Sequence, residues 1–185
     1  MAGNVIVIRA LDDILKRYGN QLASLGHKQA VKVMARALNY EGRKAFTLIK
    51  LAIVTQSSIP YGIVNAGTKF KSASTAMSSN LTASIIGEGG YLDLTPFKPR
   101  PIKSGVSATV WAKRYKYGRA FFRGGVPWHR VGKARLPIKP IYGAKVPDEL
   151  ARNNARDIPP KIFLAAQPLI VSRVEKEIEA VLRGY

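Results

Sequence analysis

Residues 105–132 read GVSATVWAKRYKYGRAFFRGGVPWHRVG. Val106, Ala108 and Val110 alternate with Ser107, Thr109 and Trp111, the period of two that marks a strand with one face in a core. Further on, Gly124-Gly125 separates "GRAFFRG" from "VPWHRVG", which predicts a hairpin turn. Upstream, "LTASIIGE" alternates and predicts another strand, "GEGG" a turn, and "YLDLTPF" a short strand or edge. The glycines of "GEGG" are not a phosphate loop, because no Gly-Lys-Ser/Thr follows at the needed spacing. Downstream, "ARLPIKPIYG" cannot be a central strand, because Pro137 and Pro140 each lack a donor. It is expected at a sheet edge or wrapped across one.

Helices flank this β region. "NVIVIRA" predicts a first strand, and "LDDILKRYGNQLASLG" a helix stopped by Gly26. Over residues 27–55, Ala30, Val31, Met34, Leu38, Ala45, Leu48, Ile49 and Ala52 recur at three, four and seven, forming one apolar stripe. Lys28, Lys32, Arg36, Arg43 and Lys50 fall on a second stripe roughly 160° away, a cationic ridge or simply a solvated face. Gly42 weakens the middle of this helix by about 1 kcal/mol relative to alanine. A short helix after Pro60 is followed by a Ser-rich stretch, so 66–80 is expected to be a mobile loop. A last helix carries Ile170, Val174, Ile178, Val181 and Leu182 on its apolar face, with Pro168 near its start or bending it. The fold class is therefore α+β: N-terminal helices, a central antiparallel β-sheet with a long basic hairpin, and a C-terminal helix. A length of 185 residues suits a single domain spanning 1–185.

Charge narrows the partners. The chain carries 30 Lys and Arg against 11 Asp and Glu, a formal net charge of +19. That excess points to nucleic acid, an acidic protein surface or an anionic membrane. Between Leu94 and Pro147 there is no acid, while cations accumulate from Lys98 to Lys145. One sign at this density repels itself, so an opposite charge is expected nearby. There is no helix-turn-helix and no aromatic ribonucleoprotein strand motif, so attraction to a backbone rather than base reading is expected. The chain has no cysteine, which removes disulfides and thiolate chemistry. The N-terminal apolar run is too short for a secretory signal, and no run reaches the roughly 20 residues of a membrane span. A soluble protein made inside a cell is expected.

Catalytic patterns are weak. His27 and His129 stand far apart and share no ligand spacing. Asp12 and Asp13 point different ways on a helix. Asp148 and Glu149 fit a helix N-terminus, where acids complement the dipole. Neither Gly-x-Ser-x-Gly nor His-Glu-x-x-His is present, and no enzyme, cofactor or metal is expected. Trp111 and Trp128 beside cations suit base stacking, but on alternating strands they are expected to cover the core, as is at least one of Phe121 and Phe122.

One family resemblance stands beside this reading. "YLDLTPFKPRPIKSGVSATVW" has the form Leu-x-x-Phe-x-x-Arg followed by Gly-Val-x-Ala-x-x-Trp; then come "AFF" and "GKARLPIKPIYGAKVP". This order resembles the minor tail protein Z family of phages and prophages, the tail completion proteins of long-tailed phages. "SSIPYGIV" before the Ser-rich stretch is also similar, and the resemblance runs roughly from residue 27 to the end. Gly132, Lys133, Arg135, Pro137, Ile138, Gly143 and Pro147 match the family's late motif. The resemblance implies a non-catalytic virion protein at the tail top or neck, assembled in the host cytoplasm as a homo-oligomeric ring, with sixfold symmetry expected. It also implies contact with a tail terminator or tail tube protein and with a head connector or portal-side adaptor.

On that basis Arg123, Arg130, Lys133, Arg135, Lys139 and Lys145 are expected to face an acidic neighbour or DNA in the channel. Lys28, Lys32, Arg36, Arg43 and Lys50 form a second basic face. The proline-rich arm, 133–147, is expected to lie along a neighbour rather than join its own sheet. Trp128 and Val131 are expected to hold the hairpin. The rival reading is a free protein that binds nucleic acid without sequence preference. An inner-virion or baseplate protein differs only in location, and a peripheral membrane role lacks large aromatics on the cationic face.

Overall fold

The computed structural model describes residues 5–8, 18, 20, 25–74, 81–151 and 158–183. Among them, the helices are α1 (His27–Ser57), α2 (Tyr61–Ala66), α3 (Val146–Ala151) and α4 (Ile158–Leu182). The strands are β1 (Val5–Ile8), β2 (Thr68–Lys71), β3 (Ala83–Gly87), β4 (Arg100–Ile102), β5 (Gly105–Val110), β6 (Lys113–Gly118), β7 (Ala120–Arg123), β8 (Val126–Arg130) and β9 (Ile138–Pro140). Three three-stranded sheets result, ordered β1-β3-β2, β4-β5-β6 and β7-β8-β9. The α+β class holds, with antiparallel pairing wherever a register is defined. No helix among the described residues is long and apolar enough to cross a membrane.

The chain divides into two compact units. One comprises residues 1–4, 50–68 and 87–155; the other comprises 5–49, 69–86 and 156–185. The boundary falls inside α1, so one amphipathic pattern runs through two separate sets of packing partners.

The unit containing 5–49 buries Val31, Val33, Ala35, Ala37 and Leu38 of α1 with Ala83 of β3 and Ile170, Val174 and Ile178 of α4. Tyr18 joins this core at 6% exposure; the rest of the helix expected over 11–26 lies mostly outside the described residues. Val33, Ala35 and Ala37 fall off the expected stripe, so α1 is covered on more than one side here. Leu48, expected inside, is 52% exposed, and Leu182 at the end of α4 is 66% exposed. Pro168 lies inside α4 rather than near its start. The expected mobile loop 66–80 contains a strand, β2, whose Phe70 ring sits 5.9 Å from Phe46 of α1. Asn39 of α1 holds the chain after β2 with both ends of its amide: Nδ2 donates to Ala73 O at 3.1 Å, and Oδ1 accepts from Ala73 N at 2.7 Å. Residues 75–80 lie outside the described residues.

The unit containing 87–155 holds the two remaining sheets. Val106, Ala108 and Val110 of β5 are fully buried, as the alternation requires, and Leu94 and Phe97 are buried with them. The stretch "YLDLTPF" is not a strand. It makes a bridge from Asp93 to Tyr142 and then a short 3-10 turn, Thr95–Phe97. Leu94 N donates to Ile141 O at 3.1 Å, and Gly143 N to Leu92 O at 2.7 Å. Gly143 is needed there: a Cβ on it would stand 2.5 Å from Phe97 Cε2.

The Gly124-Gly125 hairpin is as expected. Arg123 pairs with Val126 across a two-residue turn with both φ values positive, +58° and +79°. The β5–β6 turn is a surprise. Trp111 and Ala112 make it, at φ of +51° and +55°, so Trp111 is not part of the strand and is 41% exposed. Tertiary bonds hold it: Trp111 N donates to Ser57 O at 3.1 Å and Ala112 N to Ser58 Oγ at 3.0 Å. The proline-rich arm lies at a sheet edge, as its prolines require, but against expectation that sheet is the chain's own. Its residues 138–140 join the chain's own sheet as edge strand β9, pairing Trp128 with Pro140 and Arg130 with Ile138. An edge position tolerates the missing proline donor.

Candidate anion-binding surface

Strand register decides which cations share a face. In β4-β5-β6, Arg100 pairs with Ser107 and Ser107 with Lys116, while Thr109 pairs with Arg114. With side chains alternating along each strand, Arg100, Arg114 and Lys116 therefore stand on one face. All three are exposed. The opposite face of β5 carries the buried Val106, Ala108 and Val110. Arg114 is partly fixed: its Nη2 donates to the buried Ser107 Oγ at 2.9 Å. The other donors of its fork stay available for an oxyanion.

In β7-β8-β9, Phe121, Trp128 and Pro140 line up across the sheet, and Arg123 and Arg130 fall on the same face by alternation. The Arg130 guanidinium lies 5.0 Å over the Phe121 ring, a contact that orients it without discharging it. Phe121 and Trp128 are half-buried, Phe122 is 39% exposed, and the buried Trp128 Nε1 has no hydrogen-bond partner among the described residues. Neither tryptophan thus covers the core as fully as expected. Val131 is 49% exposed and holds the loop through its backbone, with N donating to Pro137 O at 3.0 Å.

The expected site residues are only partly brought together. Arg123 and Arg130 share a face; Lys133 and Arg135 stand exposed on the 131–136 loop; Lys139 pairs with His129 on the other face of that sheet. Lys145 does not face outward. It is half-buried, 3.8 Å from Asp148 Oδ1 and 5.2 Å over the Tyr91 ring. On α1, Lys28, Lys32, Arg36 and Arg43 are exposed as expected, but Lys50 is 9% exposed and donates to Asn65 Oδ1 at 2.9 Å. The reason is that α2 folds back, placing Asn65 and the Tyr61 ring beside it. A helical wheel cannot register such a neighbour.

Arg100, Arg114 and Lys116 were not singled out by sequence reasoning. The signal was the alternating run "KRYKY", where every second residue of a strand shares a face. Glu88 is exposed, but the other three described acids of this unit are engaged within it. Asp93 Oδ1 accepts from Thr95 N at 2.9 Å, Asp148 faces Lys145, and Glu149 is 7% exposed. The exposed cations of the sheets are thus left without a local counter-charge of their own strands. No group of three or more His, Asp or Glu that would suit a metal ion exists among the described residues. No family model, curated protein or solved structure matches the chain.

Proposed function

We propose that this chain is a structural protein of a tailed-phage particle, closing the top of the tail and joining it to the head as a ring around the DNA channel. The supporting observation is that the two stretches carrying the family-like residues, 91–111 and 132–147, pack together: Leu94 bonds Ile141, and Phe97 fills the space that Gly143 leaves. In the unit they build, Glu149 is buried while Arg100, Arg114, Arg123 and Arg130 are exposed. Such a surface suits the phosphates of DNA passing a channel or an acidic ring beneath it. The reading assigns no reaction and no cofactor to the protein.

The free nucleic-acid binder is the second reading, favoured by the Arg100, Arg114 and Lys116 face. The two differ in how strongly the isolated chain binds. Duplex DNA of mixed sequence is titrated with purified protein across a range of salt. A binder using these three cations with Arg123 and Arg130 gives a log–log slope of roughly −4 to −5, from about 0.9 per phosphate neutralised. The tail reading expects only weak binding, gone at physiological salt. Tight binding there, weakened by neutralising Arg100, Arg114 and Lys116 to glutamine, would replace the tail reading with the rival.

A further inference from the structure

Glu149 is the least comfortable charge in its unit. It lies in the first turn of α3, at 7% exposure. Its carboxylate receives one hydrogen bond among the described residues, from Trp111 Nε1 at 2.7 Å. Among the described residues no cation pairs with it, and Lys145 lies 3.8 Å from Asp148 Oδ1 instead. Burial pushes its pKa up, Asp148 adds to that rise, and the indole bond opposes it. A buried carboxylate without a counter-charge is costly.

A second acceptor lies beside it. Gln56, near the end of α1, lines the same cleft, and its buried Oε1 has no donor among the described residues. The cleft holds about 340 Å³ between Gln56, Trp111, Ala112 and Glu149. A second cleft of about 200 Å³ shares Trp111 and Glu149 and is walled further by Tyr91 and Asp148. Trp111 is placed there by a backbone conformation that only glycine, asparagine or aspartate adopts readily. Its ring stands edge-on to Tyr115, with centroids 6.1 Å apart. The walls therefore offer an aromatic face and acceptors short of donors. A guanidinium matches both needs: it is planar, carries five N–H donors, and stacks on indole.

We propose that this cleft receives a guanidinium or primary ammonium side chain from a second copy of the chain. The nature of the guest follows from the cleft alone; its source rests on the ring reading above. A head-to-tail contact joins unlike surfaces, and here one surface is a carboxylate cleft while the other is rich in cations. The 131–136 loop supplies the natural donor group, since Lys133 and Arg135 are exposed there and make no ion pair or hydrogen bond among the described residues.

The chain has two tryptophans, so two indole signals appear in a proton–nitrogen correlation spectrum. Capped arginine (N-acetyl-arginine methylamide) is titrated into the protein, with capped norleucine as the control. The Trp111 signal, assigned with Trp111→Phe, is expected to move saturably with arginine only, with a Kd on the order of 1 mM. Glu149→Gln keeps an acceptor for the indole, and its retained fold is checked by its melting curve. In that variant the shift is expected to vanish. No movement with arginine, or equal movement in Glu149→Gln, overturns the cleft. Raising the protein concentration distinguishes the source. The same signal is expected to move the same way in the wild type and to stay still in Lys133→Gln/Arg135→Gln. Arginine binding without any concentration dependence overturns the second copy as the source while leaving the cleft. It leaves the tail reading itself to the particle experiments below.

Discussion

Replacing Gly105 by alanine is expected to lower the melting temperature by about 10 °C or more, from a loss of roughly 3–5 kcal/mol. Gly105 opens β5 at a φ of +150°, where L side chains are strained. Space is also lacking. A Cβ there would stand 2.1 Å from Tyr117 O and 3.1 Å from the backbone nitrogens of Arg119 and Ala120. These are main-chain atoms of β6, β7 and Arg119 between them, held by the Gly105–Gly118 pairing and by the bond from Arg119 N to Ser104 O at 2.9 Å. Neither can retreat without breaking the sheet. Gly89→Ala is the control, since Gly89 also has a positive φ, +126°, but nothing within 4 Å. It is expected to lose only the conformational part, about 1–3 kcal/mol. Equal melting of the two alanine variants would show that the contact with Tyr117 carries no cost.

Changing Lys133 and Arg135 together to glutamine is expected to abolish head–tail joining while leaving the protein folded. Both side chains are exposed on the 131–136 loop and make no hydrogen bond or ion pair among the described residues. Surface substitutions of this kind usually change stability by less than about 0.5 kcal/mol. In a ring the loss recurs at every subunit contact, so a modest change per site becomes a large change in assembly. The measurement is the yield of infectious, joined particles when the variant replaces the wild-type protein, with the melting temperature as the control. Wild-type yield from a normally folded variant would remove this loop from the joining surface.

The parts of the fold that were legible in the sequence are those ruled by local periodicity. The alternation of Val106, Ala108 and Val110 located β5, and Gly124-Gly125 supplied the positive φ values of the β7–β8 hairpin. Three, four and seven spacing located α1 and the buried side of α4. The misreadings arise where distant chain overrides local pattern. The alternation of β5 seemed to continue through Trp111, because Trp-Ala lacks the usual turn residues; bonds from Ser57 and Ser58 force the turn. Lys50 looked like its neighbours on the ridge until α2 folded over it. Glu149 fitted a helix start, and nothing local said that it turns toward Trp111. The cationic face of Arg100, Arg114 and Lys116 depends on register between strands, which a single strand's residues do not encode.

The most direct test of the tail-completion reading is electron microscopy of lysates from a phage that carries this gene and one from which it has been removed. Full heads and separate tails in the second lysate, with joined particles restored by supplying the protein, are the expected result. Normal joined particles without the protein would contradict a role in completing the tail.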